Sequence, residues 1–430
     1  MQILPFGYFL LAVLGVLCFC KLKDVAYAMV FTAPLTTMSV FALGDSNILF
    51  NHLLFVILLI KTVLRRKRLY YLVPRSLSVF MLWCLCSIPI AAIPFINNIK
   101  VYNVDGYFEH VKFSFQQFTQ YGYLLVSFGV CVIMTSLLKE GVIEERKLIK
   151  VFAVSYMVEM LLTLGQIVLP VELVNFTYRN AVGTGYNLPG ARISGSFGEP
   201  SFWAAYATAG FCVFANKLIE KPKIKYIISV VLFVLCFINN KSSSAIVGMA
   251  AWLAIGLIRW IKGSSKRVKR ISIVVVLVAF IALIAFLYTK RAEMEFLVTE
   301  LGQKLRRENE SGTLRSGTML WHFGVFFTRP LTGVGYGTVR SLDLMTTYLA
   351  ELGIFGFICY VVPVFRTGIR MLKKKETRQI GYYILIYNII MFLSVPEPYF
   401  YSIWIAYAIA FNRLRKNNGG LVIRVRENYN

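Results

Sequence analysis

The segment QYGYLLVSFGVCVIMTSLL, residues 120–138, decides the fold class of this chain. It contains no charged residue, and it is about as long as the roughly 20 residues that an α-helix needs to cross a bilayer. Similar apolar runs recur along the 430 residues, of which 57% are hydrophobic and only 16% are charged. A soluble domain has about a quarter of its residues charged. The composition therefore predicts an all-α, polytopic integral membrane protein with a single transmembrane domain over residues 1–412.

About thirteen apolar runs (12 to 14) are candidate transmembrane helices. They cover residues 3–20, 25–43, 47–60, 77–96, 120–138, 148–169, 199–216, 226–238, 243–261, 271–289, 347–365, 380–394 and 399–412. An odd number of spans places the two ends of the chain on opposite sides of the membrane.

The distribution of Lys and Arg predicts which side is which. With the N-terminus outside, most of the 46 basic residues, including the clusters 65–68 and 373–375, fall in cytoplasmic segments, as basic residues do in membrane proteins. The prediction is N-out and C-in, with a basic cytoplasmic tail over residues 413–430. The net charge of +25 then reflects the excess of Lys and Arg in cytoplasmic segments, and no nucleic-acid partner is expected.

Two outer loops are long, at residues 170–198 and 290–345, and long loops in a compact protein are often functional. The second contains an aromatic helical piece over residues 320–327. Arginines collect in these loops: Arg179, Arg192, Arg306, Arg307, Arg315, Arg329 and Arg340. A guanidinium stays charged and grips two phosphate oxygens with a planar fork. Glycines surround the arginines and allow close approach of the backbone to an anion. Flexible loops with a solubilising charge explain the same composition.

Acidic residues near these loops have two interpretations. Glu199-Pro200 begins an apolar run, which is an ordinary helix start with an acidic cap. The same carboxylate could act as a general base or orient Arg192. Glu159 lies inside the sixth predicted span, where it is either functional or a hydrogen-bonded structural residue. The three histidines have no metal-ligand spacing. No metal and no cofactor are expected.

Three stretches resemble a known family. ARISGSFGEPSFWAAYA (191–207) resembles the outer-face segment of bacterial polysaccharide polymerases of the Wzy type. LRSGTMLWHFGVFFTRPLTGVGYGTVRS (314–341), followed by TTYLAELGIFGF (346–357), resembles the signature of the O-antigen polymerase and ligase superfamily. In that signature an Arg and a Trp precede Pro-x-x-Gly-x-Gly, and Glu-x-Gly opens the next span. Some polymerases also carry Arg-x10-Gly in both outer loops, as do Arg179 and Arg306 here.

The resemblance implies a glycosyltransferase of the bacterial cytoplasmic membrane. Such enzymes join undecaprenyl-diphosphate-linked repeat units into O-antigen, capsule or exopolysaccharide, in the same pathway as a flippase and a chain-length regulator. Ligases of the same superfamily carry an essential His-Asn pair before the Glu-x-Gly span, and the stretch 340–353 has no His. The polymerase is therefore the preferred interpretation. A ligase, a lipid-linked oligosaccharide flippase and a solute transporter are the alternatives.

The resemblance and the residue types together assign roles. The expected reaction is an inverting, metal-independent glycosyl transfer. Arg192 and Arg315 are expected to neutralise the diphosphate, with Glu199 as general base and Asp343 behind it as the second candidate. The expected substrate-binding residues are Arg179, Arg306, Arg340, Tyr186, Trp203, Trp321 and Tyr336.

Overall fold

The computed structural model describes residues 2–43, 46–65, 69–102, 108–183, 192–263, 310–415 and 421–423. The helices in these ranges are α1 (Pro5–Phe19), α2 (Leu22–Thr32), α3 (Phe50–Leu64), α4 (Arg75–Ser87), α5 (Gln116–Lys139), α6 (Glu145–Val168), α7 (Val171–Phe176), α8 (Pro200–Glu220), α9 (Ile224–Asn240), α10 (Ser243–Gly263), α11 (Glu310–Thr328), α12 (Leu344–Lys373), α13 (Arg378–Ser394) and α14 (Tyr401–Arg415). The strands are β1 (Gln2–Ile3), β2 (Ser39–Leu43), β3 (Ser46–Leu49), β4 (Leu69–Tyr71), β5 (Lys100–Tyr102), β6 (Phe108–His110) and β7 (Leu421–Ile423). Two 3-10 turns, Ile88–Ala92 and Ile96–Asn98, follow α4.

Six helical segments in the described ranges are long and apolar enough to cross a membrane. They are α4 with its following turn, α5, α6, α8, α10 and α12, and the shorter helices α1, α3 and α9 are also apolar. Large apolar side chains on the outside of the bundle include Phe19, Val168 and Ile219, which are 93%, 79% and 74% exposed. A surface of this kind suits lipid rather than water. The described chain is therefore mainly helical and built for a membrane, as predicted.

The segment 25–43 differs from its prediction as one span. Helix α2 ends at Thr32, just before Pro34, and the apolar residues that follow form β2 in an antiparallel sheet with β1 and β3. Proline lacks the N–H that would continue a helix. The 11 residues of α2 rise only about 17 Å, roughly half of the hydrocarbon core. An apolar run alone does not distinguish a helix from a buried strand. The predicted span 271–289 lies outside the described residues.

The predicted tail is partly ordered. Helix α14 continues to Arg415, and β7 pairs antiparallel with β4, with Leu69 opposite Ile423. The described part of the tail is thus attached to the segment that follows α3.

Charged contacts join helix termini at one end of the bundle, which we call the basic end. Its ion pairs and charge-assisted hydrogen bonds are Arg65–Glu140 (3.5 Å), Arg413–Glu145 (2.6 Å), Arg378–Glu220 (3.6 Å), Arg259 Nη1 to the Leu372 carbonyl (2.5 Å) and Lys61 Nζ to the Cys20 carbonyl (2.9 Å). The segments involved are those whose Lys and Arg content predicted a cytoplasmic location.

Helix α12 is broken at Gly353, whose φ of 64° and ψ of −173° are not helical. The segment 330–335 runs beside the break and takes up the backbone groups that it frees. Three backbone hydrogen bonds join the two segments: Val334 N to Ala350 O (2.9 Å), Gly335 N to Glu351 O (2.9 Å) and Ile354 N to Pro330 O (2.8 Å). Broken helices occur at membrane depth only where the surrounding protein or a cavity satisfies the backbone.

Glycine is required on both sides of this contact. A Cβ on Gly353 would lie 2.4 Å from the carbonyl carbon of Leu331, and one on Gly333 would lie 2.3 Å from that of Glu351. The Pro-x-x-Gly-x-Gly and Glu-x-Gly patterns are therefore the two halves of one packed unit.

Candidate functional site

A cavity of about 900 Å³ lies at the end of the bundle opposite the basic end. Five helices that reach the basic end begin at or beside this cavity, namely α3, α5, α8, α12 and α14. Residues of the 336–340 and 396–401 segments complete its wall. Its size is in the range of pockets that hold small organic ligands.

One wall of the cavity is a polar ridge on α5. Gln116, Thr119, Gln120 and Tyr123 line it, and their spacing of three, four and seven residues places them on one face of a helix. Amide and hydroxyl groups both donate and accept hydrogen bonds. The ridge therefore offers neutral hydrogen-bonding groups at the start of a helix that is mainly apolar along its remaining length.

An ion pair faces the ridge. Nη2 of Arg340 donates to Oε1 of Glu397, and both residues line the cavity. Burial raises the pKa of Glu397 above its ordinary value, Arg340 opposes the rise, and the nearby charge of Glu199 adds to it. Since the guanidinium of Arg340 is already engaged by a carboxylate, this pair differs from an uncommitted arginine that could receive a phosphate.

Glu199 lies at the edge of the cavity. It occupies the N-cap position of α8 with an extended backbone, but its side chain makes no capping hydrogen bond. Its carbonyl oxygen instead accepts from the N–H groups of Phe202 and Trp203, both at 3.2 Å. The carboxylate receives a bond of 3.3 Å from the Ser201 hydroxyl. The residue is exposed and lines the cavity, so its carboxylate is accessible to a ligand.

Arg192 and Arg315 lie close enough to Glu199 for its charge to act on both of them. Nε of Arg192 donates to the carbonyl of Asn240 (3.0 Å), the last residue of α9. Nη1 of Arg315 donates to the carbonyl of Ser394 (3.3 Å), the last residue of α13. Carbonyls at a helix C-terminus favour a cation. Burial, and then the charge of Arg315, lower the pKa of Arg192, whereas Glu199 raises it. Burial also lowers the pKa of Arg315, while Glu199 and then Asp343 raise it. Two guanidinium groups thus interact with each other and with the carboxylate of Glu199, and Asp343 acts on Arg315 as well.

A polar stripe on α6 holds the loop that carries Arg192 and Glu199. Oε1 of Gln166 accepts from the N–H groups of Ser194 (2.8 Å) and Gly195 (2.9 Å). Two turns deeper, the carboxyl group of Glu159 contacts the N–H (3.1 Å) and the hydroxyl (2.5 Å) of Ser196. Glu159 is fully buried and does not line the cavity, so its observed contacts are those of a hydrogen-bonded structural residue.

Arg179 supports the same loop from the other side. It is only 5% exposed, and its guanidinium donates to the hydroxyl of Ser194 (2.5 Å) and to the carbonyls of Phe197 (2.6 Å) and Gly198 (3.3 Å). Its position differs from that expected of a substrate-binding arginine, because these partners are backbone and side-chain groups of the protein itself.

Asp343 is also engaged within the fold. It caps α12, accepting from Thr346 N–H (2.8 Å), from the Thr346 hydroxyl (2.6 Å) and from the Ser341 hydroxyl (2.9 Å). It is 5% exposed and lies outside the cavity wall. The geometry favours Glu199 over Asp343 as the group that meets a ligand.

The three described aromatic candidates occupy different places. Trp203 is fully buried, and its indole N–H donates to the Thr163 hydroxyl (2.9 Å). Trp321 is 47% exposed and packs edge-on against Phe108 of β6, 4.8 Å between ring centroids. Only Tyr336 lines the cavity. The remaining candidates, Arg306 and Tyr186, lie outside the described residues.

His322 is buried in α11 at 1% exposure, with Nδ1 2.6 Å from the carbonyl oxygen of Thr318. Burial lowers its pKa. This placement agrees with a packed histidine rather than one that meets a ligand.

The sequence analysis missed the α5 ridge and Glu397, and it named Glu351, which also lines the cavity, only as part of the Glu-x-Gly pattern. The ridge had a detectable signal, since four polar residues share one face at the start of an apolar run. Glu397 stands between two prolines and two apolar runs (VPEPYF, 395–400). Charge at a short outer turn is common, however, and only the fold shows that this one faces Arg340.

Comparison with known proteins adds no relative. No protein-family model matches this chain, and no curated protein is significantly similar to it in sequence.

Proposed function

We propose that this protein polymerises undecaprenyl-diphosphate-linked oligosaccharides into a surface polysaccharide, as an inverting glycosyltransferase of the bacterial cytoplasmic membrane. The observation that carries the proposal is the position of Glu199. It stands between a paired cationic site, Arg192 and Arg315, and a large cavity with neutral polar walls. The cationic site suits a diphosphate, the neutral polar cavity suits a glycan that bears the attacking hydroxyl, and Glu199 between them can act as the base.

The proposal includes the topology of about thirteen spans, with the N-terminus and the cavity outside. Support comes from the segregation of charged contacts. The helix termini rich in Lys and Arg meet at the basic end, and the cavity lies at the other. Basic residues favour the cytoplasmic side, and the lipid-linked glycan would then be processed on the outer side.

The reaction is a single displacement. A hydroxyl of an incoming lipid-linked repeat unit attacks the anomeric carbon of the growing glycan, which is held on undecaprenyl diphosphate. The new C–O bond forms as the bond from the anomeric carbon to the diphosphate oxygen breaks. The hydroxyl proton passes to the carboxylate of Glu199, and the bonding electrons leave with the diphosphate.

The arginines act on the leaving group. Negative charge grows on the bridging oxygen as the bond breaks, so fixed guanidinium groups stabilise the transition state more than the bound substrate. Both groups are held by helix C-terminal carbonyls before any ligand arrives. They need little reorganisation during the reaction.

Purified protein in detergent with a defined lipid-linked repeat unit tests the proposal directly. We expect a ladder of lengthened glycans, release of undecaprenyl diphosphate in equal number to new linkages, and inversion at the anomeric carbon. The ladder should persist with a chelator present. A flippase or transporter would form no glycosidic bond, and a ligase would need a separate lipid acceptor, so the absence of any ladder would contradict the proposal.

A further inference from the structure

The described wall of the cavity is not basic. Two acidic side chains, Glu199 and Glu397, stand against its one guanidinium, Arg340, which is paired with Glu397. Glu351 also lines the wall but is buried and accepts from the N–H of Val339 (3.4 Å). The other described lining groups are neutral amides, hydroxyls, aromatic rings and one imidazole, that of His52. An anion entering this wall would meet more negative than positive side-chain charge.

Helix dipoles do not reverse this balance. The α-helices that begin at the cavity direct the positive ends of their dipoles towards it, but the protein's own carboxylates lie at three of these five ends. Glu199 is the N-cap residue of α8, Asp343 caps α12, and Glu397 comes shortly before α14. The partial positive charges therefore stabilise these carboxylates rather than a bound anion.

The remaining lining fits a sugar ring. The α5 ridge supplies amide and hydroxyl partners, while Tyr123, Tyr399 and Phe202 supply apolar faces. Pockets of this composition, mainly aromatic with a few polar groups, hold small polar organic ligands.

A buried phenol at the cavity points to a missing partner. Tyr348 is fully buried and lines the cavity, and its hydroxyl has no hydrogen-bond partner among the described residues. A buried hydroxyl left unpaired costs about 1–3 kcal/mol. A ligand hydroxyl in the cavity would satisfy it.

We infer that the cavity is the subsite for the acceptor sugar and that it accepts neutral or amino sugars but excludes uronic acids. The inference deepens the proposed function, since it assigns diphosphate to the arginine pair and the attacking glycan to the cavity. Glu199 lies at the junction of the two and can receive the acceptor proton.

Cysteine reporters test the charge of the cavity without any knowledge of the natural substrate. In a variant whose eight native cysteines are replaced by alanine, Thr119→Cys places a thiol on the ridge. Asn98→Cys places a matched thiol on an exposed turn outside the cavity. Each is modified with a cationic trimethylammonium-ethyl and an anionic sulfonato-ethyl methanethiosulfonate. The rate with the cationic reagent divided by the rate with the anionic reagent should be higher at position 119 than at position 98. Each kT of additional negative potential should raise this ratio about sevenfold.

Protection by monosaccharides tests the specificity. N-acetylglucosamine and glucosamine should slow modification of Thr119→Cys, glucuronate should not, and none should affect Asn98→Cys. Glu397→Gln, which leaves Arg340 without its carboxylate partner, should lower the rate ratio and allow glucuronate to protect. A second reporter, Gln116→Cys, repeats the measurement if the first variant folds poorly.

A rate ratio at position 119 equal to or below that at position 98 would overturn the inference, as would equal protection by glucuronate or no protection by any sugar. These results are independent of polymerisation. A wild-type ladder together with protection by glucuronate would reject the inference and leave the proposed function standing. Protection by the neutral sugars without a ladder would contradict the proposed function and the acceptor role, and would leave standing only the sugar selectivity of the cavity.

Discussion

At the scale of single residues, Arg192 and Arg315 form a cationic site although they are far apart in the sequence. Each is held by a carbonyl at the end of a different helix, and the charge of Arg315 lowers the pKa of Arg192. Holding two like charges together costs free energy unless an anion joins them. Glu199 compensates in part, and a diphosphate would complete the compensation.

Arg192→Ala and Arg315→Ala should each lower the polymerisation rate about a hundredfold, because each removes one fixed charge from the transition state. Arg→Lys at either position should retain part of the rate, since it keeps the charge without the planar fork. Arg329→Ala is the matched control: its guanidinium lies 3.9 Å from the ring centroid of Phe95, outside the cavity. Equal rates for the Arg192 and Arg329 variants would contradict the assignment.

Glu159→Gln should leave stability and polymerisation nearly unchanged. The single proton of the Ser196 hydroxyl cannot serve both the Pro34 carbonyl (2.9 Å) and Oε2 of Glu159 (2.5 Å), so we predict that the Glu159 carboxyl is protonated and shares the shorter contact. A protonated carboxyl is closely imitated by an amide. Glu159→Ala leaves buried groups of Ser196 unpaired, at a cost of about 1–3 kcal/mol. Thermal denaturation and the glycan ladder compare the two variants, and a Gln variant as damaged as the Ala variant would indicate an ionised or proton-carrying carboxyl.

Stability should depend on pH through Glu397. Burial raises the pKa of Glu397 above its unfolded value, so the folded state holds the proton more tightly. The resulting stabilisation is complete below the unfolded pKa of about 4.3 and is lost as the pH rises through the folded pKa. The Tm of Glu397→Gln relative to wild type should therefore rise with pH across this window. Glu172→Gln, at an exposed residue of α7, is the control, and a difference that falls with pH would contradict the sign.

At the scale of elements, the contact between segment 330–335 and the break in α12 sets the position of Arg340 and Glu351. Three backbone hydrogen bonds hold this irregular segment against the interrupted helix. The sequence contains both glycine patterns, but their mutual contact depends on the approach of two backbones and could not be read from either pattern alone.

Gly333→Ala and Gly353→Ala should both destabilise the fold strongly. Both residues have positive φ, 68° and 64°, which costs a side chain about 1–2 kcal/mol, and each new Cβ would also overlap a backbone carbonyl. Gly324→Ala, in α11 with open space around it, should instead stabilise by about 0.5–1 kcal/mol. The Tm and the yield of monodisperse protein measure the difference, and a harmless Gly353→Ala would show that the break can relax.

The sequence predictions that agree with the structure are those that depend on local composition, and those that differ depend on contacts between distant segments. Long apolar runs such as 120–138 correspond to helices because length and composition suffice there. The segment 25–43 does not, since Pro34 and the pairing of β2 decide its form. Residue type placed Arg192, Glu199 and Arg315 among the candidates, and the fold brings them together. Residue type alone could not separate these three from Arg179, whose partners lie in the loop 194–198. Nor could it separate them from Asp343, which caps its own helix through Ser341 and Thr346.

At the scale of the whole molecule, the basic end and the cavity should lie on opposite faces of the membrane. Lys112→Cys, near the cavity end of α5, should react with a membrane-impermeant maleimide in intact cells. Lys223→Cys, just before α9, should react only after permeabilisation. Both positions are exposed, so access rather than burial decides the result. The native cysteines are replaced first, and the opposite labelling pattern would reverse the proposed orientation and remove the outer-face reaction.

The pairing of β7 with β4 has a consequence for biosynthesis. Strand β4 follows α3, but its partner comes after every described helix, including α14. Strand β4 therefore lacks its partner β7 while the helices between them are synthesised and inserted. Closure of this small sheet can occur only once α14 has been made, so its formation marks completed insertion.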